Sequence, residues 1–434
     1  MALQPLDQWL ARRMGQSVVP SRQELREWQL DRLREIISHA RSGSPFYARH
    51  LADAKPEAIA TLDDFSRLPM IGPDHLRDAP ERLLCVSQDE IARVVTVQTS
   101  GTTGPAKRMF QTADDLEATV DYFAWGMANI VVPGRTTLVL MPGDRPDGVG
   151  RLLGAALARI GVRTVAHGVM ENVETALGQC LDEGAHCVVG CPAHLNMLAR
   201  AWERRGLPQG RVESVLLCWD AVPDTVARNC ARIFGCRVFR HWGMIETGLG
   251  GAVECAPGSG LHLRETDVYL EIVDPDTGQV LPDGEFGEMV VTTPLKRGMP
   301  LIRYRTGDMG RILRGACSCA SPLRRLDPLV WRISDGVNIG ERTLTLRALS
   351  ECLYALPGLD DFAAWFGQGV LRIGACGGSG LSAAVASALA DLPAVVQGLV
   401  SGALGLEIET RSNGAPAIAG LGKRCLKILG EKDQ

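Results

Sequence analysis

Apolar residues in the first 95 positions recur at the spacing of an amphipathic helix. The clearest run comprises Leu25, Leu30, Leu33, Ile36 and Ile37. Ser21 and Glu24 stand before this run at the spacing of a capping box, which predicts a helix start. We therefore expect a helical N-terminal region over residues 1–93.

Between about 94 and 240, two kinds of pattern alternate. Short β-branched runs occupy 94–98, 136–140, 187–190 and 213–217. Segments of helical periodicity lie near 113–129, 149–160, 171–183, 193–204 and 224–234. Such alternation is typical of an α/β layer architecture with a largely parallel sheet. It predicts an α/β core over residues 94–260.

The pattern changes after residue 262 to strands and turns. Strands are predicted at Val268–Val273, 288–293 and 303–312, with a turn at 274–278. From about 336, a helix, two strands, two helices and a last strand near 424–429 follow. The fold class is therefore α/β, with a large N-terminal domain over 1–334 that includes a β-rich subdomain at 261–334. A small α+β C-terminal domain over 335–434 completes the prediction.

Composition and net charge exclude some classes of function. The chain has 434 residues, 46% of them hydrophobic and 22% charged, with a formal charge of −4. These values are ordinary for a globular protein and exclude a general nucleic-acid footprint. The N-terminus lacks the pattern of a secretory signal, and Asp391, Pro393 and Gln397 interrupt the most apolar region at 381–406. We expect a cytoplasmic protein with no membrane or nucleic-acid partner, whose 13 cysteines are reduced core residues with a potential metal-binding subset.

A loop of small and hydroxylated residues follows the strand at 94–98. It comprises Thr99, Ser100, Gly101, Thr102, Thr103 and Gly104. Backbone N–H groups of such a loop can converge on phosphate oxygens. Read alone, the segment could also be an ordinary turn, and it lacks the Lys-Ser/Thr pair of the GxxxxGK[ST] loop.

Two further motifs connect this loop to a family. They are Trp242-Gly243-Met244-Ile245-Glu246 and Tyr304-Arg305-Thr306-Gly307-Asp308. In order and spacing, the three motifs resemble those of the adenylate-forming superfamily. The segments Glu271–Gly278, Leu281–Glu285 and Met299–Thr306 are similar to the phenylacetate–CoA ligase branch. The resemblance is strong up to residue 314 and weak after 335.

The resemblance implies roles for individual residues. Thr99 to Gly104 would hold the triphosphate of ATP, and Glu246 would bind Mg²⁺. Asp308 would accept hydrogen bonds from both ribose hydroxyls, and Arg332 would lie near ribose and phosphate. The alternatives are a solvated glutamate, a turn aspartate and a surface arginine.

The adenine site departs from the branch in two places. Trp242, next to Gly243, replaces the usual tyrosine. The segment Asp220, Ala221, Val222 and Pro223 stands where the branch has Gly-Ala-Glu-Pro. The acyl pocket is expected near Tyr122–Met127 and Met244–Leu249, which equally resemble plain core.

The C-terminal motifs are altered as well. Asp335 can serve as the hinge of a mobile C-terminal domain, but the Arg-Gly-Val-Asn loop associated with CoA use is not preserved in place. Lys423, after Gly422, resembles the catalytic lysine of the family. The residues that follow depart from the pattern, so Lys427 is a rival.

Cysteine and histidine residues form a candidate metal set. Spacing alone favours reduced core cysteines for Cys255, His262, Cys317 and Cys319. Members of the branch show Glu-Cys, Gly-Leu-His and Cys-x-Cys at these places, so the resemblance implies structural Zn²⁺. Three thiolates and an imidazole form a closed tetrahedral set.

The combined interpretation is an AMP-forming acid–CoA ligase. It would use ATP and Mg²⁺ to activate a small carboxylic acid, with aromatic acids among the candidates, and then form a thioester with coenzyme A. A homodimer is one candidate for the oligomeric state. The first alternative stops at the adenylate or uses another acceptor. The second is a nucleotide-binding maturation or scaffold protein with reduced turnover.

Overall fold

The computed structural model describes residues 4–97, 106–143, 148–412, 414–418 and 424–428. Contacts between Cα atoms divide the chain into two compact units. Unit 1 comprises Met1–Asn129, Ala155–Ile160 and Arg240–Val330. Unit 2 comprises Ile130–Gly154, Gly161–Phe239 and Trp331–Gln434. The domain boundary expected at 334/335 stays a prediction.

The helices follow the predicted order along the chain. They are α1 (Pro5–Arg13), α2 (Arg22–Gly43), α3 (Pro45–His50), α4 (Leu62–Phe65), α5 (His75–Asp78), α6 (Ala113–Met127), α7 (Val149–Arg159), α8 (Val173–Asp182), α9 (Pro192–Arg204), α10 (Asp224–Phe234), α11 (Leu346–Leu353), α12 (Leu381–Leu389) and α13 (Pro393–Val400). Short 3₁₀ segments occupy Pro56–Ala58, Pro80–Leu83, Gln88–Glu90 and Ile245–Thr247.

The described strands are two to nine residues long. They are β1 (Ile91–Val97), β2 (Lys107–Thr112), β3 (Thr136–Val139), β4 (Arg163–Ala166), β5 (Cys187–Gly190), β6 (Ser214–Leu217), β7 (Arg237–Trp242), β8 (Ala252–Glu254), β9 (Leu261–Leu263), β10 (Tyr269–Val273), β11 (Gly287–Thr292), β12 (Tyr304–Gly310), β13 (Arg325–Leu326), β14 (Trp331–Arg332), β15 (Gly336–Ile339), β16 (Arg342–Thr345), β17 (Leu359–Gly367), β18 (Val370–Gly377), β19 (Gly405–Arg411) and β20 (Lys427–Ile428).

The predicted capping box of unit 1 forms at the start of α2. The hydroxyl of Ser21 accepts from the backbone N–H of Glu24 at 3.2 Å, and the Glu24 carboxylate accepts from Ser21 N–H at 2.7 Å. Both bonds satisfy backbone donors that the first helical turn leaves open. Leu25, Leu33 and Ile37 then face inward, and the latter two join the main core of unit 1.

Antiparallel strands complete unit 1. β11 pairs with β10 on one side and β12 on the other, while β8 pairs with β9 and with the last residues of β7. The strand expected at 94–98 forms as part of β1, but it pairs antiparallel with β2 instead of joining the parallel sheet. The physical reason is the short connection: a parallel pair needs a crossover of a dozen or more residues.

Unit 2 contains the parallel sheet that the alternating pattern predicted. Its strands lie in the order β6-β5-β3-β4, and the three neighbouring pairs in this order are parallel. The residues of β3, β5 and β6 are buried throughout. Continuous apolar runs of this kind are typical of strands covered on both faces. The predicted α/β fold class is confirmed.

The C-terminal part of unit 2 differs in detail from the expected order. The hairpin β15–β16 occupies a stretch expected to begin a helix, because Val337 and Ile339 alternate with Asn338 at the period of a strand. An additional strand, β19, pairs parallel with β18. Leu406 and Ile408 alternate there with glutamates, which is the same two-residue period.

Among the described helices, no single one combines the length and apolarity of a membrane span. Within the described residues, one pair of helices, α12 and α13, has the length and apolarity of a span when the two are taken together. The two helices are bent by 92° at the break between them.

Candidate functional site

A buried charge cluster in unit 1 joins side chains from three separate parts of the sequence. Nζ of Lys107 lies 2.5 Å from Oε1 of Glu246. The hydroxyl of Tyr304 donates to the same oxygen at 3.2 Å and lies 3.5 Å from Nζ of Lys107. All three residues are buried. The second and third predicted motifs therefore meet the strand that follows the predicted phosphate loop.

Local structure explains how each side chain reaches the cluster. Along β2, Lys107, Met109 and Gln111 occupy alternate positions and face inward. Glu246 lies in the 3₁₀ segment Ile245–Thr247, which ends at Gly248 with φ 72°. That left-handed conformation suits glycine, which pays no Cβ penalty there.

A second buried lysine approaches the same segment. Nζ of Lys296 donates to the backbone carbonyl of Glu246 at 3.4 Å. Burial lowers the pKa of Lys296, while the carboxylates of Asp115 and Glu246 raise it in part. Two cationic side chains thus border the Glu246 segment.

The predicted ribose and adenine residues of unit 1 lie next to each other. Nε1 of Trp242 is 3.5 Å from Oδ2 of Asp308, and both residues are buried. The Thr306 hydroxyl accepts from the backbone N–H of Asp308 at 3.0 Å, and this hydrogen bond holds the backbone of Asp308 in place. A Cβ on Gly251 would clash with the Trp242 ring, so glycine permits the close approach of chain and indole.

The segment Asp220–Pro223 in unit 2 is held at its first residue. Oδ1 of Asp220 accepts from the N–H of Ala221 at 2.9 Å, and Oδ2 accepts from the N–H of Arg424 at 3.0 Å. Val222 is half-buried, and Pro223 is the N-cap residue of α10. The segment therefore follows the carboxyl end of β6, an edge where α/β sheets bind ligands.

Arg332 and the predicted hinge residue, Asp335, both lie in unit 2. Arg332 ends β14, and its carbonyl accepts from Asp335 N–H at 3.1 Å. The carbonyl of Asp335 in turn accepts from Leu346 N–H at 2.9 Å. The ribose and phosphate role of Arg332 stays a prediction.

Several predicted residues fall outside the described part of the chain. These are Thr99, Ser100, Gly101, Thr102, Thr103 and Gly104 of the phosphate loop, and Lys423. The rival Lys427 belongs to β20, whose backbone pairs with β17 at Trp365.

Helix α6, which carries the predicted acyl-pocket segment Tyr122–Met127, contacts the chain at and beside the second predicted segment, Met244–Leu249, in unit 1. The hydroxyl of Thr119 on α6 donates to the carbonyl of Gly248 at 3.0 Å. Tyr122 is buried, with the guanidinium carbon of Arg264 4.7 Å from its ring centre. A Cβ on Gly250 would lie 2.7 Å from the Tyr122 ring. The structure thus brings α6 against Gly248 and Gly250, while the role of the two segments in binding an acyl group stays a prediction.

The four predicted zinc ligands form one cluster. Sγ of Cys255, Cys317 and Cys319 and a ring nitrogen of His262 all lie within 4.8 Å of one another. Sγ of Cys255 is 3.7 Å from Sγ of Cys317, and Sγ of Cys319 is 3.4 Å from Nε2 of His262.

These separations fit a tetrahedral metal site. Zinc–sulfur bonds of about 2.3 Å and zinc–nitrogen bonds of about 2.0 Å place two sulfurs about 3.8 Å apart and a sulfur and nitrogen about 3.5 Å apart. β9 supplies His262, and the loop before β13 supplies the Cys-x-Cys pair. β13 pairs directly with His262 through Arg325.

Sequence reasoning missed Lys107 and Lys296 as candidate site residues. Lys107 carried a usable signal, because it shares a strand face with Met109 shortly after the phosphate loop. A lysine on an inward-facing position needs a charged partner. Lys296 lies in a turn after β11, and its burial depends on tertiary packing.

Comparison with known proteins agrees with the three motifs. The sequence model of a family described as AMP-binding enzyme matches residues 18–298. A phenylacetate-coenzyme A ligase of Pseudomonas putida is 31% identical over 351 residues, which cover 75% of this chain and 77% of that protein. The enzyme of the same description from Thermus thermophilus is 30% identical over 334 residues, covering 73% and 74%.

The fold has a solved counterpart. The crystal structure of a 2-hydroxyisobutyryl-CoA ligase in the postadenylation state, in complex with 2-HIB-AMP, superimposes with a TM-score of 0.74 at 19% identity. The match covers 93% of this chain and 89% of that chain. The chain therefore belongs to the AMP-binding enzyme family, within the group formed by the phenylacetate–coenzyme A ligases.

Proposed function

We propose that this protein is an AMP-forming acid–CoA ligase. It activates a small carboxylic acid with ATP, so that the carboxylate attacks the α-phosphate and pyrophosphate leaves. The acyl-adenylate then reacts with the thiol of coenzyme A, giving a thioester and AMP. The relatives named phenylacetate-coenzyme A ligase favour an aromatic acid.

The observation that carries this proposal is the Lys107–Glu246–Tyr304 cluster. It gathers a cation, a carboxylate and a phenol in a buried site, and Lys107 follows the predicted phosphate loop closely in sequence. Phosphoryl and nucleotidyl transfer rely mainly on positioning and charge neutralisation. Lys107 would take part in neutralising the triphosphate, and Glu246 would hold the lysine in place until nucleotide binds.

Asp308 and Trp242 would bind the nucleoside. The two carboxylate oxygens of Asp308 can accept from the 2′- and 3′-hydroxyls together. The indole of Trp242 offers an aromatic plane for adenine. Both side chains are buried, so they would meet the nucleotide with little water between them.

Glu246 would also hold Mg²⁺. A carboxylate is a hard oxygen ligand, and Mg²⁺ usually takes one or two carboxylates together with phosphate oxygens. When bound, the ion would supply charge neutralisation at the phosphates. Glu246 would then exchange its contact with Lys107 for the ion.

Lys423 is the proposed catalytic lysine and Lys427 the alternative. A lysine at the α-phosphate would stabilise charge that develops in the transition state. Lys423→Ala should abolish pyrophosphate exchange and leave ATP affinity nearly unchanged. If Lys427→Ala has this effect instead, the assignment of the tail is wrong.

The Cys255–His262–Cys317–Cys319 cluster would hold structural Zn²⁺. Three sulfurs and one imidazole leave no open position for a substrate water, so the ion would not take part in the chemistry. It would tie β9 to the loop before β13. A cytoplasmic location and a homodimer stay predictions from the sequence.

Acid-dependent exchange of labelled pyrophosphate into ATP tests adenylation, with a panel of aryl and short aliphatic acids. Thioester formation on addition of coenzyme A tests the second step. Exchange without thioester would favour an enzyme that uses another acceptor. ATP binding without exchange for any acid would contradict the ligase proposal and favour a nucleotide-binding scaffold.

A further inference from the structure

The predicted nucleotide loop, Asp220–Pro223, is bound at both of its ends by residues from much later in the chain. At its first residue, Oδ2 of Asp220 accepts from the backbone N–H of Arg424 at 3.0 Å. Just after its last residue, the carboxylate of Glu351 accepts from the backbone N–H groups of Asp224 and Thr225, at 2.6 and 3.0 Å. All of these residues belong to unit 2.

Glu351 acts as the cap of a helix that has no side-chain cap of its own. The N-cap residue of α10 is Pro223, which makes no side-chain capping bond. The first backbone N–H groups of a helix have no partner within the helix, and the helix dipole favours negative charge there. The carboxylate of Glu351 on α11 supplies both a hydrogen-bond acceptor and a negative charge at the start of α10. It also accepts from the Thr225 hydroxyl at 2.6 Å.

Arg424 is fixed by its side chain, so its backbone N–H is a rigid donor. The guanidinium forms an ion pair with Asp361 and lies 5.3 Å from the ring centre of Phe362. Asp361 is fully buried and also accepts from the Tyr354 hydroxyl at 2.8 Å and from Ala417 N–H at 2.7 Å. A charge pair with this many partners holds one geometry.

Two departures from the branch pattern thus meet in one contact. Asp220 stands where the branch has glycine, and a glycine could not accept the Arg424 N–H through a side chain. Arg424 follows the Gly422-Lys423 pair, where the sequence departs from the pattern of the branch, and its guanidinium reaches Asp361. Asp220 and Arg424 each supply one partner of the hydrogen bond that joins the loop to the C-terminal tail.

We propose that Glu351 and Arg424 are positioning residues that set the conformation of the nucleotide loop. This inference rests on the proposed function, since it assigns the loop to nucleotide binding. Neither residue needs to touch the nucleotide. Removing either one should therefore weaken binding of AMP and ATP while leaving the acid site unaffected.

The test compares Glu351→Gln and Arg424→Met with wild type in the full-length protein. Loss of a charge-assisted hydrogen bond should raise the Kd for AMP and the KM for ATP by about tenfold. The KM for the acid should change by less than about twofold. Hydrogen exchange should rise in residues 218–225 of the nucleotide-free protein, which is a readout independent of catalysis.

The matched control is Glu407→Gln. Glu407 also lies in the C-terminal part of unit 2 and pairs with Arg372, but both side chains are exposed. It should change none of the three quantities. If Glu351→Gln fails to fold, Asp220→Ala removes the Arg424 contact from the loop side and should raise the Kd for AMP and the KM for ATP, with the KM for the acid unchanged.

Unchanged AMP affinity in both variants would overturn the proposal, whether or not their thermal stability falls. A wild-type protein that binds AMP but shows no acid-dependent exchange would instead contradict the proposed ligase activity. In that case, loss of AMP affinity in the variants would still support the positioning role.

Discussion

Nζ of Lys107 lies 2.5 Å from Oε1 of Glu246, although 139 residues separate the two in sequence. Both side chains are buried, so each charge depends on the other for compensation. Removing one partner of a buried pair leaves an uncompensated charge, whereas replacing both can be nearly neutral. The contribution of the pair to stability can therefore be measured separately from its proposed contribution to the reaction.

Lys107→Met should abolish acid-dependent pyrophosphate exchange and lower the free energy of unfolding by about 3–5 kcal/mol. The loss arises because Glu246 stays buried after its direct ion-pair partner has been removed. Urea denaturation and the exchange assay measure the two effects. The double variant Lys107→Met/Glu246→Gln should regain much of the stability but no activity.

The control for this prediction is Lys55→Met, which replaces an exposed lysine of the same unit. It should leave both exchange and stability unchanged. Full pyrophosphate-exchange activity in Lys107→Met would contradict a role of Lys107 in adenylation.

Asp308→Ala should weaken ATP binding strongly, because the carboxylate would accept from both ribose hydroxyls. Calorimetry with ATP and 2′-deoxy-ATP makes the test specific. Wild type should prefer ATP over the deoxy analogue by about tenfold, the value of one hydrogen bond to a charged group. The variant should bind the two nucleotides equally.

Asp276→Ala serves as the comparison, since Asp276 is an exposed turn residue in the same unit. A preference for ATP that persists in Asp308→Ala would assign the ribose contact to another residue.

Local pattern was sufficient to predict most elements of this fold. The apolar runs of β3, β5 and β6 and the capping box at Ser21 depend only on neighbouring residues, and all appear where expected. The pairing of β1 depends on which strand lies nearby, so its run of β-branched residues could not reveal an antiparallel hairpin. Strand pairing, unlike strand existence, is a tertiary property.

The residues of the candidate site likewise fall into two groups: those that a sequence motif indicates and those that only tertiary packing reveals. Motif resemblance pointed to Glu246, Trp242 and Asp308, because their types are constrained by the ligand. Glu351 and Arg424 belong to no motif, and their role depends on long-range packing that brings α11 and the tail to the ends of one loop. Contacts of that kind leave no periodic signal in a single sequence.

The Cys317→Ser/Cys319→Ser variant should lose zinc. Wild-type protein purified without a metal-affinity tag should contain about one zinc per chain, measured by plasma mass spectrometry. The variant should contain well under one and unfold at a lower temperature, because the ion would tie β9 to the loop before β13. Cys352→Ser, which changes a thiol outside the cluster, should keep its zinc.

Well under one zinc per chain in wild type would contradict the metal site. So would equal zinc content in wild type and the Cys317→Ser/Cys319→Ser variant.

His194 should make the stability of the protein depend on pH. Its side chain is buried on α9, and among the described residues Nδ1 has no hydrogen-bond partner. Burial lowers the pKa of His194 to about 4, and the neighbouring Asp361 carboxylate, which raises the pKa, offsets this only in part. The neighbouring Arg424 and His167 lower the pKa of His194 further.

Because the pKa of the folded state lies below the ordinary value of about 6.5, the unfolded chain binds more protons between these two pH values. The contribution of His194 is therefore fully present above about pH 6.5 and is lost as the pH falls toward 4. The slope from this one group should approach about 1.4 kcal/mol per pH unit within that window.

His194→Gln should remove this part of the slope, since glutamine does not titrate. Urea unfolding at a series of pH values between about 7 and 4.5 measures the change. His39→Gln is the control, because it replaces a half-buried histidine in another part of the chain, on α2, and should leave the part of the slope that depends on His194 intact. An identical slope in wild type and His194→Gln would show that protonation of His194 does not oppose folding.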